Sequence, residues 1–353
     1  MAKIIAYTKV LTTRWRVYAF EAEGFTGVCK GPEDFTLTGG AGEKVTSAEV
    51  KNGVLRVEVE PIFWEQEFAL TGCGLELGPK TADEVKIDWV DKFECHKDHD
   101  IVYRLYRPQA YGPRPLVLFL HGGGECGDDN LKQMVGTLGA ARIAEDYPDC
   151  FVMAPQAPQG FINPLADPAQ AAKMMNRPFA QADMKGDRGW SRPYLAKVCD
   201  VIRELIADGK VLADRVTVTG LSMGGFGTLR AMSVGSDIFA AAAPICPSMT
   251  PETYTILKGL THAKVWVSTA YVDHTIYRHK YITDAIMYLQ QQGNKDAYLT
   301  LYSPEELAAY GHGVDPELPY KKLFAENHNA WNLTYSNEHG IMSWLIAQTK
   351  EKG

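Results

Sequence analysis

The stretch Val216-Thr217-Val218-Thr219-Gly220-Leu221-Ser222-Met223-Gly224-Gly225 decides how this chain is read. A short apolar strand runs into a serine with glycine two positions to either side, and a helix is expected from about Phe226 to Val234. A G-x-S-x-G match alone is weak, but between a strand and a helix it describes a nucleophile elbow. The serine then sits on a sharp turn with strained backbone angles, and side chains at positions 220 and 224 would collide there. The following helix points its amino end at the serine, where developing negative charge is favoured. The plain alternative is a glycine-rich turn with an incidental serine.

A second motif agrees with the first. His121-Gly122-Gly123-Gly124-Glu125 directly follows the apolar strand Leu116–Leu120. Glycines there let backbone N–H groups turn inward and approach a substrate oxygen, so Gly122, Gly123 and Met223 are the expected oxyanion-hole donors. A phosphate cradle would need a following Lys-Ser/Thr or a G-x-G-x-x-G, and neither is present.

Around these motifs short apolar strands alternate with helical patterns. Strands are expected at Leu116–Leu120, Phe151–Ala154, Val216–Thr219, Ala240–Ile245, Val265–Thr269 and Tyr298–Tyr302, with a hairpin of Val85–Phe93 and Ile101–Tyr106 ahead of them. Leu195, Val198, Ile202, Leu205 and Ile206 fall on one helix face, and Pro193 suits the first turn. This alternation implies an eight-stranded, mostly parallel sheet with helices on both faces. Residues 1–84 have a different texture. Leu55, Val57 and Val59 alternate with charged residues, and Asn52-Gly53 marks a tight turn. Short strands without helices suggest a small all-β sandwich of immunoglobulin-like size, leaving residues 85–353 as the second domain.

Residues 85 to 350 resemble an α/β-hydrolase. HGGGE with GLSMGG is similar to the esterase branch that includes feruloyl esterases and polyhydroxybutyrate-depolymerase-like enzymes. The β-rich segment resembles the immunoglobulin-like domain of some two-domain members. Those esterases commonly carry Arg-Gly after HGxGE, whereas this chain has Cys126-Gly127. The resemblance implies a Ser-Asp-His order with Ser222 as nucleophile, Asp273 after the strand Val265–Thr269 as acid, and His328 in His328-Asn329-Ala330-Trp331 as base. Asp284 has helical spacing and reads as a solvated helix face. His312 is the runner-up for the base, and His339 reads as a surface residue at the start of the last helix. It also implies hydrolysis of a carboxylic ester, of a short acyl chain or a hydroxycinnamic acid, through an acyl-enzyme and with no cofactor or metal.

Two long connections leave the carboxyl ends of strands, where such sheets bind ligands. Gln156 to Arg192 spans about 37 residues, far above the usual loop length. With Phe161, Met174, Met175, Phe179 and Trp190 it is expected to wall a pocket, and Ser303 to Asn327 is the second wall. Trp190 and His121 are the expected substrate contacts. His96 and His99 with Asp98 and Asp100 could be drawn as a metal site, but a polar hairpin turn explains them. His274 and His279 read as surface loop.

Composition narrows the rest. The chain has 353 residues, 46 % hydrophobic and 22 % charged, which fits a globular protein of about two domains. A net charge of −7 without a long basic run argues against nucleic-acid or anionic-membrane binding. No apolar stretch spans a bilayer and no leader is read, so a cytoplasmic location is expected unless a leader was removed. Seven cysteines without a CxxC pair read as reduced thiols. The expected partner is a small-molecule ester, with a homo-oligomer left open. Three rivals stand beside this reading. A peptidase of the prolyl-oligopeptidase kind shares the motif order but usually carries a β-propeller, which about 90 residues cannot make. The others are a non-catalytic binding protein on this fold, and a carbohydrate platform of Trp15, Trp64 and Trp89 on the β-domain.

Overall fold

The computed structural model describes residues 2–11, 14–159, 189–273, 278–313 and 326–350. The chain forms two compact units, Met1–Lys92 with Val135–Ala141, and Phe93–Met134 with Arg142–Gly353.

The first unit is all-β. Strands β1 (Lys3–Leu11), β2 (Arg14–Glu23), β4 (Val45–Lys51), β5 (Val54–Phe63) and β8 (Glu84–Ile87) form one sheet in the order β4-β5-β2-β1-β8. The strands β3 (Phe35–Gly39), β6 (Phe68–Gly72) and β7 (Leu75–Leu77) form a second. Val17, Phe20, Leu55 and Val57 from the first sheet share one apolar core with Phe35, Phe68 and Leu70 from the second. The period-two pattern does this directly: Leu55, Val57 and Val59 are buried while Glu58 and Glu60 face out or sit at the rim. Asn52 and Gly53 both have positive φ, 54° and 76°, and close the β4–β5 hairpin in two residues. Trp15 and Trp64, tilted at 39° with ring centroids 5.6 Å apart, line a groove of about 640 Å³. Trp89 instead has its ring covered by the Lys92 ammonium at 3.4 Å.

The second unit holds eight strands in the order β16-β15-β14-β13-β11-β12-β10-β9. They are β9 (Phe93–Asp98), β10 (Ile101–Tyr106), β11 (Arg114–Leu120), β12 (Phe151–Pro155), β13 (Val211–Leu221), β14 (Phe239–Ile245), β15 (Lys264–Ala270) and β16 (Ala297–Tyr302). All neighbours from β12 to β16 pair in parallel, and the β9–β10 hairpin joins antiparallel through β10 and β12. The helix Arg192–Ala207 buries Leu195, Val198, Ile202 and Leu205, with Ser191 accepting from Tyr194 N as its cap.

The expected hairpin strand at Val85–Phe93 is corrected. Glu84–Ile87 pairs in parallel with β1 in the first unit, and the hairpin strand begins only at Phe93. The break has a local cause. Trp89 takes φ 64°, and the Asp91 carboxylate accepts from Ile87 N, which turns the chain. Of the residues ascribed to a polar hairpin turn, His96 and Asp98 are strand, and only His99 and Asp100, at φ 52° and 54°, make the loop. β9 is an edge strand, so its polar side chains meet solvent at little cost.

Parallel register aligns the carboxyl ends of the central strands. Leu120 lies beside Gly220 and Ile245 beside Leu221 and Ser268. The loops after β11, β13 and β15 therefore emerge along one edge of the sheet.

Candidate active site

Ser222 directly follows β13 and caps the helix Met223–Val234, with φ 56° and ψ −111°. This backbone conformation is costly for a residue with a side chain, and the surroundings enforce it. Ser222 N donates to Ile245 O at 2.9 Å, and Phe226 N donates back to Ser222 O at 3.1 Å. A Cβ on Gly220 would lie 2.5 Å from Gly224 O, one on Gly224 1.9 Å from Leu120 O, and one on Gly225 2.4 Å from Ile245 O. These three positions have backbone oxygens where a side chain would start, so glycine is required.

The turn presents Ser222 Oγ to His328 Nε2 at 2.8 Å. His328 Nδ1 lies 2.9 Å from Asp273 Oδ2. Asp273 follows β15 and is fully buried, whereas the His328 side chain is 13 % exposed at the edge of the site. Two contacts hold the imidazole in place. Trp331 packs edge-on at 5.2 Å, and Asn327 Nδ2 donates to Val272 O at 3.0 Å, tying the segment before the base to that before the acid. The buried Cys246 thiol donates to His328 O, and burial with the nearby Asp273 pushes it up to about 12, so it stays protonated.

Sequence reasoning missed Arg278. Its Nη1 donates to Asp273 Oδ2 at 2.9 Å and lies 2.6 Å from His328 Nδ1. The Arg278 side chain is only 2 % exposed. With the histidine proton on Nδ1, both Arg278 and His328 donate into one carboxylate oxygen, and Nε2 accepts from Ser222. With Nδ1 unprotonated it accepts from Arg278, and Nε2 donates to Ser222 instead. The guanidinium thus bears on which tautomer faces the serine. A lone arginine five residues after Asp273 gives no pattern that could have announced it.

The glycine loop lies beside the elbow. Gly122 is extended, at φ −76° and ψ −172°, and leads into a short 3-10 turn, Gly123–Glu125. A Cβ on Gly122 would meet Leu221 Cδ1 at 2.9 Å, while Gly123 and Gly124 border open space. Met223 is the first residue of its helix, so its N–H lacks an intrahelical acceptor.

The two expected substrate contacts, His121 and Trp190, are both buried. His121 is fully buried and works inside the loop. Ala157 N donates to its Nε2 at 2.9 Å, so the ring proton sits on Nδ1 and is donated to Gly122 O at 2.6 Å. Trp190 is also fully buried: its Nε1 donates to His121 O at 3.0 Å, and its ring fills the space a Cβ on Gly227 would take. Among the described residues, both side chains hold the glycine loop from within. Phe161, Met174, Met175, Phe179 and His274 lie outside the described residues, as do residues 314–325 of the second connection.

The other histidines take ordinary places. His312 is buried, accepts from Asn332 Nδ2 at 2.9 Å, and is held below its usual range by burial. His339 and Glu306 pair at the surface at 2.6 Å. His96 and His99 pair with Glu94 and Asp98 along the edge hairpin, and His99 also with Glu204 of the helix Arg192–Ala207. His279 is partly buried and lies against Tyr271 at 5.5 Å. Asp284 sits on the helix Arg278–Gln291 and accepts from Tyr254.

Over its whole length the chain is similar to a thermostable esterase of known structure, at TM-score 0.72 and 23 % identity, covering 99 % of this chain and 100 % of the other. The fold is that of the α/β-hydrolases. More distant likenesses include an S-formylglutathione hydrolase from Staphylococcus aureus (TM-score 0.45, 13 % identity, 72 % and 96 % covered). An acylaminoacyl peptidase shares 12 % identity at TM-score 0.45, with 97 % and 68 % covered. Residues 182–304 match the model of the prolyl oligopeptidase family. No curated protein matches the chain. The match of residues 182–304, together with the serine–histidine–carboxylate geometry, supports a serine hydrolase of esterase or peptidase type. Among the described residues, no helix is long and apolar enough to cross a membrane.

Proposed function

We propose that the chain is a serine carboxylesterase acting on small esters of short acyl or hydroxycinnamic acids. The observation that carries the reading is the continuous hydrogen-bonded run from Ser222 Oγ through His328 to Asp273. His328 takes the serine proton as the oxygen attacks the ester carbonyl, and Asp273 stabilises the imidazolium. The N–H groups of Gly122, Gly123 and Met223 receive the oxyanion. His328 then protonates the leaving alcohol, and water repeats the sequence on the acyl-enzyme. The reading needs no cofactor or metal. We read the first unit as an immunoglobulin-like sandwich, supported by its two sheets around one core.

The match of residues 182–304 favours a second reading, a peptidase. Against it stands the first unit, whose eight described strands form two sheets and not a propeller. Parallel assays with acetyl, butyryl, octanoyl and feruloyl esters and with amino-acyl anilides separate the two. Turnover of the esters with inert anilides supports the esterase, and the reverse pattern establishes the peptidase.

A further inference from the structure

Far along the chain from Ser222, three groups with affinity for metal ions meet in the first unit. Cys29 lies in the loop between β2 and β3, Asp34 in the 3-10 turn Pro32–Asp34 that leads into β3, and Cys73 at the tip of the β6–β7 hairpin. The Sγ atoms of both cysteines and a carboxylate oxygen of Asp34 all lie within 4.8 Å of one another. Sheet register explains part of this. β3 and β6 pair antiparallel with Phe35 opposite Gly72, so the next step outward sets Asp34 opposite Cys73. The Cys73 thiol faces that carboxylate, with Sγ 3.9 Å from Asp34 Oδ2. The Gly72 backbone presses so closely on Asp34 that a Cβ there would lie 2.2 Å from Asp34 O.

Cys73 also occupies a position its backbone does not favour. It forms the hairpin loop with Gly74, and the two have φ 51° and 77°. Turns of this kind take Asn, Asp or Gly at such positions, because a left-handed conformation costs other residues roughly 1–2 kcal/mol. A cysteine there, aimed at a second cysteine and a carboxylate, indicates a role for its sulfur. Both thiols are partly buried against the sandwich core, which positions them without sealing them from solvent.

We infer that Cys29, Asp34 and Cys73 form a binding site for a thiophilic divalent cation of the zinc type, which clips the loop before β3 to the β6–β7 hairpin. Tetrahedral zinc with sulfur ligands at about 2.3 Å sets its donor atoms about 3.5–3.8 Å apart, so the cluster needs to contract by at most about 1.3 Å. Two thiolates and one carboxylate are a borderline-soft set that selects such an ion over magnesium or calcium. Binding replaces the two thiol protons with the cation and releases them to solvent, with no change of oxidation state. Three protein donors leave the fourth position to water.

The full-length protein, reduced and freed of metal, is titrated with Co2+ and the thiolate-to-cobalt charge-transfer and visible bands are followed. The inference expects one equivalent to produce the bands and Zn2+ to displace it. Cys29→Ser, Cys73→Ser and Asp34→Asn should lose or weaken them, while Cys95→Ser, in the other unit, keeps them. A rise in Tm with Zn2+ in the wild type but not in Cys73→Ser gives a second readout. Absence of the bands in reduced wild-type protein overturns the inference, as does their persistence in a Cys29→Ser/Cys73→Ser variant. A Cys29–Cys73 disulfide that re-forms in the presence of Zn2+, seen by peptide mapping without reductant, overturns it as well. None of these outcomes depends on ester hydrolysis.

Discussion

Arg278 Nη1 stands 2.9 Å from Asp273 Oδ2 and 2.6 Å from His328 Nδ1, so a buried cation bears on both the carboxylate and the imidazole. A positive charge beside His328 disfavours the imidazolium, and one beside Asp273 favours the carboxylate.

Replacing the arginine therefore has a signed consequence. In Arg278→Gln the imidazolium loses a like charge, so the acid limb of the pH–rate profile moves to higher pH. Removing one partner of a buried pair is also destabilising by about 3–5 kcal/mol. Arg278→Lys keeps the charge and leaves the limb nearer the wild-type position. A profile that keeps its acid limb in Arg278→Gln contradicts this role.

Trp190→Ala acts on stability and not on ester choice. Loss of a fully buried tryptophan costs about 3–5 kcal/mol. Trp190→Phe keeps most of the packing and loses the bond to His121 O, at about 1 kcal/mol. Urea unfolding measures both. The ranking of an ester panel should be unchanged in Trp190→Phe, and a reordered ranking returns the residue to the pocket.

The glycines of the elbow and of the loop separate cleanly. Gly224→Ala drives a methyl onto Leu120 O, a backbone atom of a central strand, and should cost at least about 2 kcal/mol or prevent folding. Gly123→Ala meets open space and keeps the backbone N–H, so stability should stay within about 0.5 kcal/mol. Equal losses of stability in the two variants contradict the packing argument.

How much of this was legible follows the range of each signal. Gly220, Ser222 and Gly224 announced the elbow because backbone crowding within a few residues dictates glycine. Leu55, Val57 and Val59 announced a half-buried strand because burial alternates with every residue. The break at Trp89 carried no such mark, since a tryptophan at positive φ breaks no local pattern. The buried place of Trp190 carried no local mark, because an aromatic in a long Gly- and Pro-containing connection looks the same whether it faces a ligand or props a neighbouring loop. Arg278 needed the third dimension, as its partner His328 lies 50 residues further along the chain.

Acid should loosen the fold partly through His312. Burial holds this imidazole below its ordinary 6.5. Its contribution is complete above that value and is lost as the pH falls from 6.5 toward the folded-state value, because the unfolded chain binds the proton first. His312→Gln keeps an acceptor for Asn332 and does not titrate. Urea midpoints should therefore fall less steeply below pH 6.5 in the variant, and identical slopes contradict this assignment.

The most direct test of the central claim is covalent labelling with a fluorophosphonate, followed by peptide mapping and by the rate of inactivation. The account predicts one adduct, on Ser222, absent in Ser222→Ala and formed at least about 10³-fold more slowly in His328→Ala. An adduct on another residue, or a labelling rate indifferent to the loss of His328, contradicts it.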